Sequence, residues 1–501
     1  MQAPYKIVIV GGGTAGWMTA AALSTLYANN NFQITLIESK EIGSIGVGEA
    51  TLPHMKDFNA RLGISEVDMM KKTKATFKLG IKFVDWGKLG SNYYHPFGVY
   101  GTNQNTASFY GLYSKISQEK KIADLSDYSY AIALCRQNKF ELFSNDANCI
   151  SSTYKYGYHF DASLYAEYLR EFCKNKSVSE IDGKIDYVER NKDTGNISSV
   201  RLESGLTIAG DFFIDCSGLR SLLLSKTLGV EFEDWSKWLV CDRAIALPSE
   251  KLPDLPPYTT STAKEGGWQW KIPLQHRTGN GYVYSSAFLS DQKAVDSLVE
   301  SVGGQSSETP RLIKFKSGRY KKSWVNNCLA IGLSSGFLEP LESTSIYLIQ
   351  AAIINFTKLF SVSPSHGAES NEFNRLMDVE YDRIRDFLIL HYHLNDRKDS
   401  ELWNYCREMR VPEELTEKIN IFKKRGHVEW YQFGLFTVPS WVSIFNGQGV
   451  KNVGYDPFVA GLPLSEIEKV LKETKYKIDA RAENTPLHKT FLNSYLKTLQ
   501  V

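Results

Sequence analysis

Apolar residues recur along this chain in two rhythms. Short unbroken runs rich in β-branched residues come first: KIVIV (6–10), FQITLIES (32–39), then the apolar cores of GLTIAGDFFIDCSG (205–218) and NNCLAIGLSSG (326–336). Runs of this kind, closed by glycine or polar turns, predict strands of a parallel sheet covered on both faces. Between the first two lies WMTAAALSTLYA, of helical composition, so residues 6–39 predict a strand–helix–strand unit. From about residue 346 the rhythm becomes helical, in SIYLIQAAIINFTKLF, NEFNRLMDVEYDRIRDFLILHYHL, PEELTEKINIFKK and PLSEIEKVLKETKYKI. Between these helices, VEWYQFGLFTVPSWVSIFNGQGV (428–450) is aromatic and broken by Pro and Gly, and predicts a loop or lid rather than a helix. The expected organisation is an α/β domain over 1–345 and a mainly helical substrate or lid region over 346–501.

The first strand runs directly into Gly11-x-Gly13-x-x-Gly16 and then into the predicted helix. In such a loop the first glycine makes the turn, the second lets backbone approach a pyrophosphate, and the third lets the helix pack close. Glu38 ends the second strand about 20 residues on, where a carboxylate can bind a ribose. A plain glycine turn would not account for Glu38. The fingerprint alone leaves NAD and FAD open. The later strand-and-glycine elements, DFFIDCSG and LAIGLSSGFLEP, resemble those of large FAD enzymes and favour FAD.

Composition narrows the classes. With 43% hydrophobic and 23% charged residues and a net charge of +2, nothing points to nucleic acid or an anionic membrane as partner. The 7 cysteines form no CxxC pair and are odd in number. A disulfide framework or zinc site is therefore not expected, no metal is assigned, and a cytoplasmic setting is. No secretory leader is read at the N-terminus, and YLIQAAIINFTKLF is too short and too interrupted to span a bilayer.

GGWQWKIPL (266–274) places Trp268 and Trp270 two apart on one side of an extended segment, which suits core packing or exclusion of a bulky molecule. With VGGGTAGWMTAAAL, GVGEAT (46–51), FKLGIKFVDW (77–86), YHFDA (158–162), DCSG (215–218), GYVYSS (281–286) and GFLEPLESTSIY (336–347), it resembles the flavin-dependent halogenases of the tryptophan halogenase family. The likeness covers most of the chain. It implies an FAD-binding Rossmann-like domain of the glutathione-reductase and flavin monooxygenase type, with a docked C-terminal helical region. It also implies the reaction. Reduced FAD from a separate NAD(P)H-dependent flavin reductase, O2 and a halide ion give hypohalous acid. This acid crosses a tunnel and halogenates an electron-rich, indole-type aromatic.

Carried over residue by residue, the resemblance implies roles. Lys78 is the lysine that meets the oxidant, by polarising it or by forming a haloamine. Glu342 in PLEST is the carboxylate acting by charge or as base, although ESTS before an apolar helix would also suit a cap. Thr344 and Ser345 form the halide site from backbone N–H groups. Thr14, Ala15, Glu49, Ala50, Ile185, Leu333 and Ile346 join Gly11, Gly13, Gly16 and Glu38 at the cofactor. His95, Phe97, Ser343 and Trp441 line the substrate pocket, with His95 and Phe97 as aromatic floor and wall. Trp268, Trp270, Ile272 and Pro273 guard the tunnel, keeping organic substrate from the flavin.

Two departures bear on specificity. Ser345 stands where the family usually has Gly, so a halide nest reshaped by backbone strain is expected, with bromide or iodide favoured over chloride. The 428–450 segment does not reproduce the family's tryptophan-gripping lid, so an open site for indole-type or larger aromatics is expected rather than one for free tryptophan. The reductase is expected to associate transiently, and a homodimer is one assembly the chain allows. An aromatic hydroxylase and a non-catalytic FAD-binding protein are the alternatives. The Trp pair argues against the first, and Lys78 with Glu342 against the second.

Overall fold

The computed structural model describes residues 3–28, 31–41, 48–103, 107–303, 306, 308–363, 365–431 and 434–498. The chain divides into two compact units, each drawn from three segments: Met1–Ala75, Phe160–Asp242 and Lys314–Asp382 in the first; Thr76–His159, Arg243–Ile313 and Arg383–Val501 in the second.

The first unit is the expected α/β fold. Its six-stranded sheet runs Trp324–Val325, Cys328–Ala330, Phe212–Asp215, Tyr5–Val10, Phe32–Glu38, Val178–Asp182. Every pairing is parallel except the outermost, between Trp324–Val325 and Cys328–Ala330. Ile7, Val8 and Ile9 are buried because layers cover both faces, as their unbroken apolar run predicts. The Thr14–Leu26 helix packs against the Ala162–Cys173 and Ser345–Leu359 helices. At one end of the sheet Phe212, Trp324, Phe356 and Phe360 make an aromatic cluster. Asn374 ties it down, accepting from the backbone N–H groups of Ser323 and Trp324 at 2.9 Å each.

The second unit is built on a seven-stranded sheet in the order Arg311–Lys314, Arg243–Glu250, Arg277–Tyr284, Gly267–Pro273, Thr259–Lys264, Gly80–Val84, Asn92–Pro96. Thr259–Lys264 and Gly80–Val84 pair in parallel, and the pairings of Arg243–Glu250 with Arg277–Tyr284, of Gly267–Pro273 with both its neighbours, and of Gly80–Val84 with Asn92–Pro96 are antiparallel. Buried Trp86 packs with Trp268 and Trp403 at ring separations of 6.5 and 5.3 Å, and its indole N–H donates to the Ser261 carbonyl at 3.2 Å.

Two features differ from the sequence reading. No unit boundary falls at 345/346: the Ser345–Leu359 helix belongs to the first unit, where Ile346, Ile349 and Ile353 are buried. The division lies instead inside the Gly367–His393 helix. The 428–450 segment is only half a loop. Val438–Gly447 is a helix that starts with Pro439 in its first turn and buries Trp441, Val442, Ile444 and Phe445. Proline is compatible with that position because the first-turn N–H groups have no partner within the helix.

Candidate active site

The glycine loop of the first unit has the geometry a pyrophosphate needs. Gly11 has φ +115°, and a Cβ on it would lie 2.2 Å from the Cys216 carbonyl oxygen. A Cβ on Gly16 would lie 1.8 Å from the Gly11 oxygen. Around Gly13 a Cβ would meet nothing within 4 Å, so that side is open. Gly13 precedes the 13-residue Thr14–Leu26 helix and makes no side-chain cap, which leaves the first-turn N–H groups of Thr14, Ala15 and Gly16 facing outward as donors for an anion. These residues fit an FAD pyrophosphate.

Glu38 ends its strand as expected, and the Trp17 indole N–H donates to it at 3.4 Å. Burial and the neighbouring Glu180 push its carboxyl upward. The sequence reading missed Gly12, whose absent side chain gives Glu38 room: a Cβ there would lie 1.9 Å from Oε2. It also missed Asp215. Buried Asp215 accepts from the N–H groups of Ser217, Leu223 and Leu224 and from the Ser217 hydroxyl at 2.5–3.0 Å, and so holds the DCSG turn. An acid ending an apolar strand was the available signal.

The other expected cofactor residues are spread over the unit. Glu49 and Ala50 lie in the short strand Gly48–Ala50, while Gly46 and Val47 of the same motif fall outside the described residues. Leu333 sits in the Gly332–Ser334 turn, where a Cβ on Gly332 would come within 2.9 Å of Ala15 Cβ. Ile346 is buried in the second position of its helix. Ile185 begins a strand of a separate three-stranded sheet and packs on the core around Val8 and Val10.

Glu342 closes a 3₁₀ turn, Pro340–Glu342, and is fully buried. Ser343 follows in the left-handed region at φ +60°. Thr344 precedes the 15-residue Ser345–Leu359 helix without any side-chain cap, so the capping role open to ESTS is unused. The buried Thr344 hydroxyl has no hydrogen-bond partner among the described residues. An uncapped helix start with an unsatisfied hydroxyl suits an anion. The expected backbone effect of Ser345 is corrected. Ser345 is the first residue of the helix and has no positive φ, so serine costs nothing there; the left-handed residue is Ser343, two positions earlier.

In the second unit, Lys78 ends the strand Thr76–Lys78, which pairs with Gly157–Asp161 in the register Thr76 to His159 and Lys78 to Gly157. Alternation puts Thr76 and Lys78 on one face, and the strand opposite contributes His159 and a glycine to that face. The Thr76 hydroxyl donates to the Pro273 carbonyl at 2.7 Å. Its proton is thereby committed, so it accepts from His159 Nδ1–H at 3.0 Å, and His159 Nε2 accepts from the Thr259 hydroxyl at 3.0 Å. Both ring nitrogens are assigned and the imidazole is neutral. Burial, then the Lys78 ammonium, then His488 hold its pKa well below the ordinary value. On the other side, Phe77 N–H donates to His488 Nε2 at 3.3 Å, and His488 Nδ1–H donates to the Leu255 carbonyl at 2.7 Å.

Lys78 is completely buried, with Nζ 4.9 Å from the centre of the Phe97 ring. Phe97 meets His95 edge to face, with ring centres 6.5 Å apart and planes at 84°. The two rings make a corner, not parallel plates. His95 also touches Phe387 and Phe436, which stack on each other at 3.8 Å, and Trp441 packs edge-on against Phe387 at 5.1 Å. Lys78, Phe97, His95 and Trp441 are therefore linked through one aromatic cluster whose inner rings, Phe387 and Phe436, sequence reading did not assign. Phe97 and Phe436 are half-buried, which leaves ring surface for a ligand.

Trp268 and Trp270 do lie on one face of the Gly267–Pro273 strand, with ring centres 6.1 Å apart and both buried. Trp270 covers its cross-strand partner Gly281, where a Cβ would lie 2.0 Å from the indole. Ile272 is buried beyond them, and Pro273 supplies the carbonyl that holds Thr76. The Thr76–Pro273 hydrogen bond thus joins the tryptophan strand to the Lys78 strand. Among the described residues no three His, Cys, Asp or Glu side chains cluster as metal ligands, and no helix is long and apolar enough to cross a membrane.

Comparison with known proteins adds to this geometry. The family model described as tryptophan halogenase matches residues 6–463. Tryptophan 6-halogenase SttH of Streptomyces toxytricini is 36% identical over 487 residues, 91% of this chain and 92% of its own. The solved flavin-dependent halogenase Xcc4156 of Xanthomonas campestris superposes with TM-score 0.94 at 38% identity, covering 99% of each chain. BrvH, a flavin-dependent halogenase of Brevundimonas sp. BAL3, gives 0.93 at 42% identity, over 98% of this chain and 99% of its own.

Proposed function

This chain belongs to the tryptophan halogenase family, and on that premise we propose which of its residues carry the halogenation and what kind of ring it accepts. The protein is a flavin-dependent halogenase. It uses FADH2, O2 and a halide to halogenate an aromatic substrate, with a separate flavin reductase supplying the reduced flavin.

Reduced FAD, when bound, would supply the reducing equivalents with which O2 oxidises the halide to hypohalous acid. The Gly11–Gly16 loop and the Thr14–Leu26 helix start hold the pyrophosphate, and Glu38 the ribose; Glu49, Ala50, Ile185, Leu333 and Ile346 are assigned to the same cofactor. Thr344 and Ser345 hold the halide with backbone N–H groups, and the buried Thr344 hydroxyl adds a donor. Lys78 activates the oxidant. As the ring carbon takes the halogen, the halogen–oxygen bond breaks and the departing hydroxide takes a proton from the Lys78 ammonium, leaving as water. The ring proton goes to a carboxylate, the role assigned to Glu342. His159 has both ring nitrogens committed and is neutral, so it positions Lys78's strand rather than serving as base. Trp268, Trp270, Ile272 and Pro273 keep organic molecules from the flavin.

His95, Phe97, Ser343 and Trp441 are assigned to the substrate, an indole-type aromatic other than free tryptophan. The reductase association is transient, a homodimer is compatible with these roles, and the setting is cytoplasmic. The observation that carries the reading is the complete burial of Lys78 with its ammonium over the Phe97 ring. A completely buried ammonium over an aromatic face, in the cluster that contains His95, is placed to act on a molecule held there and not on solvent. The test supplies reduced FAD, mixed halides and an aromatic panel to wild type and Lys78→Met, with products read by mass spectrometry. Halogenated product should be lost in the variant while free hypohalous acid is still trapped in solution. Undiminished product from Lys78→Met would overturn the assignment.

A further inference from the structure

Beyond the aromatic cluster, two cations stand at its polar end. The Lys418 ammonium lies 5.0 Å from the Trp441 ring centre and 5.1 Å from that of Tyr431. The Arg383 guanidinium lies 4.3 Å from the Tyr431 ring centre. Arg383 sits one helical turn before Phe387, the ring that packs on both Phe436 and Trp441. The cations, Tyr431, Trp441, Phe387, Phe436 and His95 therefore form one continuous chain of contacts inside the second unit.

Arg383 is the cation that lacks an anion, whereas Lys418 has only Asp386, at 4.0 Å, among the ion pairs of the described residues. Arg383 forms no ion pair among the described residues, and its buried Nη1 has no hydrogen-bond partner. Its stem is pinned from above: Gly434, at φ +104°, leaves no room for a Cβ, which would lie 2.5 Å from Arg383 Cδ. The acids nearby are engaged or turned to solvent. Asp386 accepts from Arg385 Nε and Nη2 at 3.0 and 2.8 Å and is 4.0 Å from Lys418. Glu429 is paired with His427 at 3.1 Å, and Glu414 is exposed. A guanidinium fork held in place with an unsatisfied buried N–H is a receptor for a planar anion, because carboxylate geometry matches it in bidentate fashion. Burial pulls the Lys418 ammonium below its ordinary range, and a carboxylate within reach would restore it.

We propose that Arg383 and Lys418 form a subsite for an anionic group on the aromatic substrate, so that this enzyme takes indolyl or aryl carboxylates in preference to neutral or cationic rings. This rests on the assignment of His95, Phe97 and Trp441 to the substrate. It also explains why free tryptophan is a poor fit. Its carboxylate would be welcome, but its ammonium would arrive among Arg383, Lys418 and Arg385, where Asp386 is already held by Arg385 and Lys418 and Glu414 is turned to solvent.

The test measures binding and turnover separately, using indole-3-acetate, 3-methylindole and tryptamine as probes. By isothermal titration the wild-type protein should bind indole-3-acetate at least about tenfold more tightly than 3-methylindole, a difference of ~1.4 kcal/mol, and tryptamine least well. Arg383→Gln and, independently, Lys418→Met should erase that ratio and leave 3-methylindole affinity unchanged. Equal affinities in the wild type would overturn the proposal, as would variants that weaken neutral and anionic ligands alike. Turnover of the three with reduced FAD and bromide is followed in parallel. If the binding ratio holds and none is halogenated, the subsite stands and the assignment of the halogenation site falls.

Discussion

Protonation of His488 should release the strand that carries Lys78. His488 is fully buried, accepts from Phe77 N–H through Nε2 and donates from Nδ1 to Leu255, so only the neutral ring satisfies both bonds. Burial pulls its pKa from the ordinary 6.5 to about 4 in the folded protein. The folded value lies below the unfolded one, so the unfolded chain binds the proton more readily. The stabilisation is therefore complete above pH 6.5 and is lost as pH falls toward 4. The whole fall corresponds to roughly 3 kcal/mol, of which about 2 kcal/mol is already lost at pH 5. His159 shifts in the same direction for the same first cause. The assay is amide hydrogen exchange on the peptide containing Phe77, corrected for intrinsic rates, from pH 7.5 to pH 5. Protection should drop by more than tenfold in the wild type. In His488→Gln, which has no titrating ring, the drop should shrink to what His159 contributes. A wild type whose Phe77 protection is flat over this range, or a variant with the same drop, would refute the reasoning.

Two further outcomes test the tryptophan strand and the halide site. Gly281→Ala should destabilise the protein by about 1–3 kcal/mol, read as a lower thermal midpoint. The new methyl meets the Trp270 indole at 2.0 Å and the Ile245 carbonyl at 2.5 Å, so adding Trp270→Phe should recover only part of the loss. With equal chloride and bromide, brominated product should dominate, because bromide is the more easily oxidised; a chlorinated majority would remove that preference.

The legible parts of this protein were those where a local rule governs. KIVIV followed by GGGTAG could be read as strand, turn and helix because Gly11 and Gly16 answer to contacts within one short turn and its neighbouring strand. Lys78 and Trp268 were reached through motifs that resemble a family. The Val438–Gly447 helix was missed because Pro439 and Gly447 read as breakers, whereas a proline in the first turn and a glycine at the last residue are compatible with a short helix. The role of Ser345 was misplaced because a sequence does not say which residue of a turn takes φ +60°; it is Ser343.

By itself the sequence determined the sheet-forming runs and the glycine loop, which depend on neighbours a few positions away, and it nominated the chemistry-bearing residues through a recurrent motif. Only the tertiary structure decided what surrounds them. Gly12 is needed because Glu38 folds against it, Gly281 because Trp270 lies across it, and His159 is neutral because Thr76 and Thr259 claim both its nitrogens. Arg383 is a candidate receptor because its buried Nη1 has no hydrogen-bond partner among the described residues. Each of these facts depends on residues brought together from distant parts of the chain, and a linear pattern holds no record of such contacts.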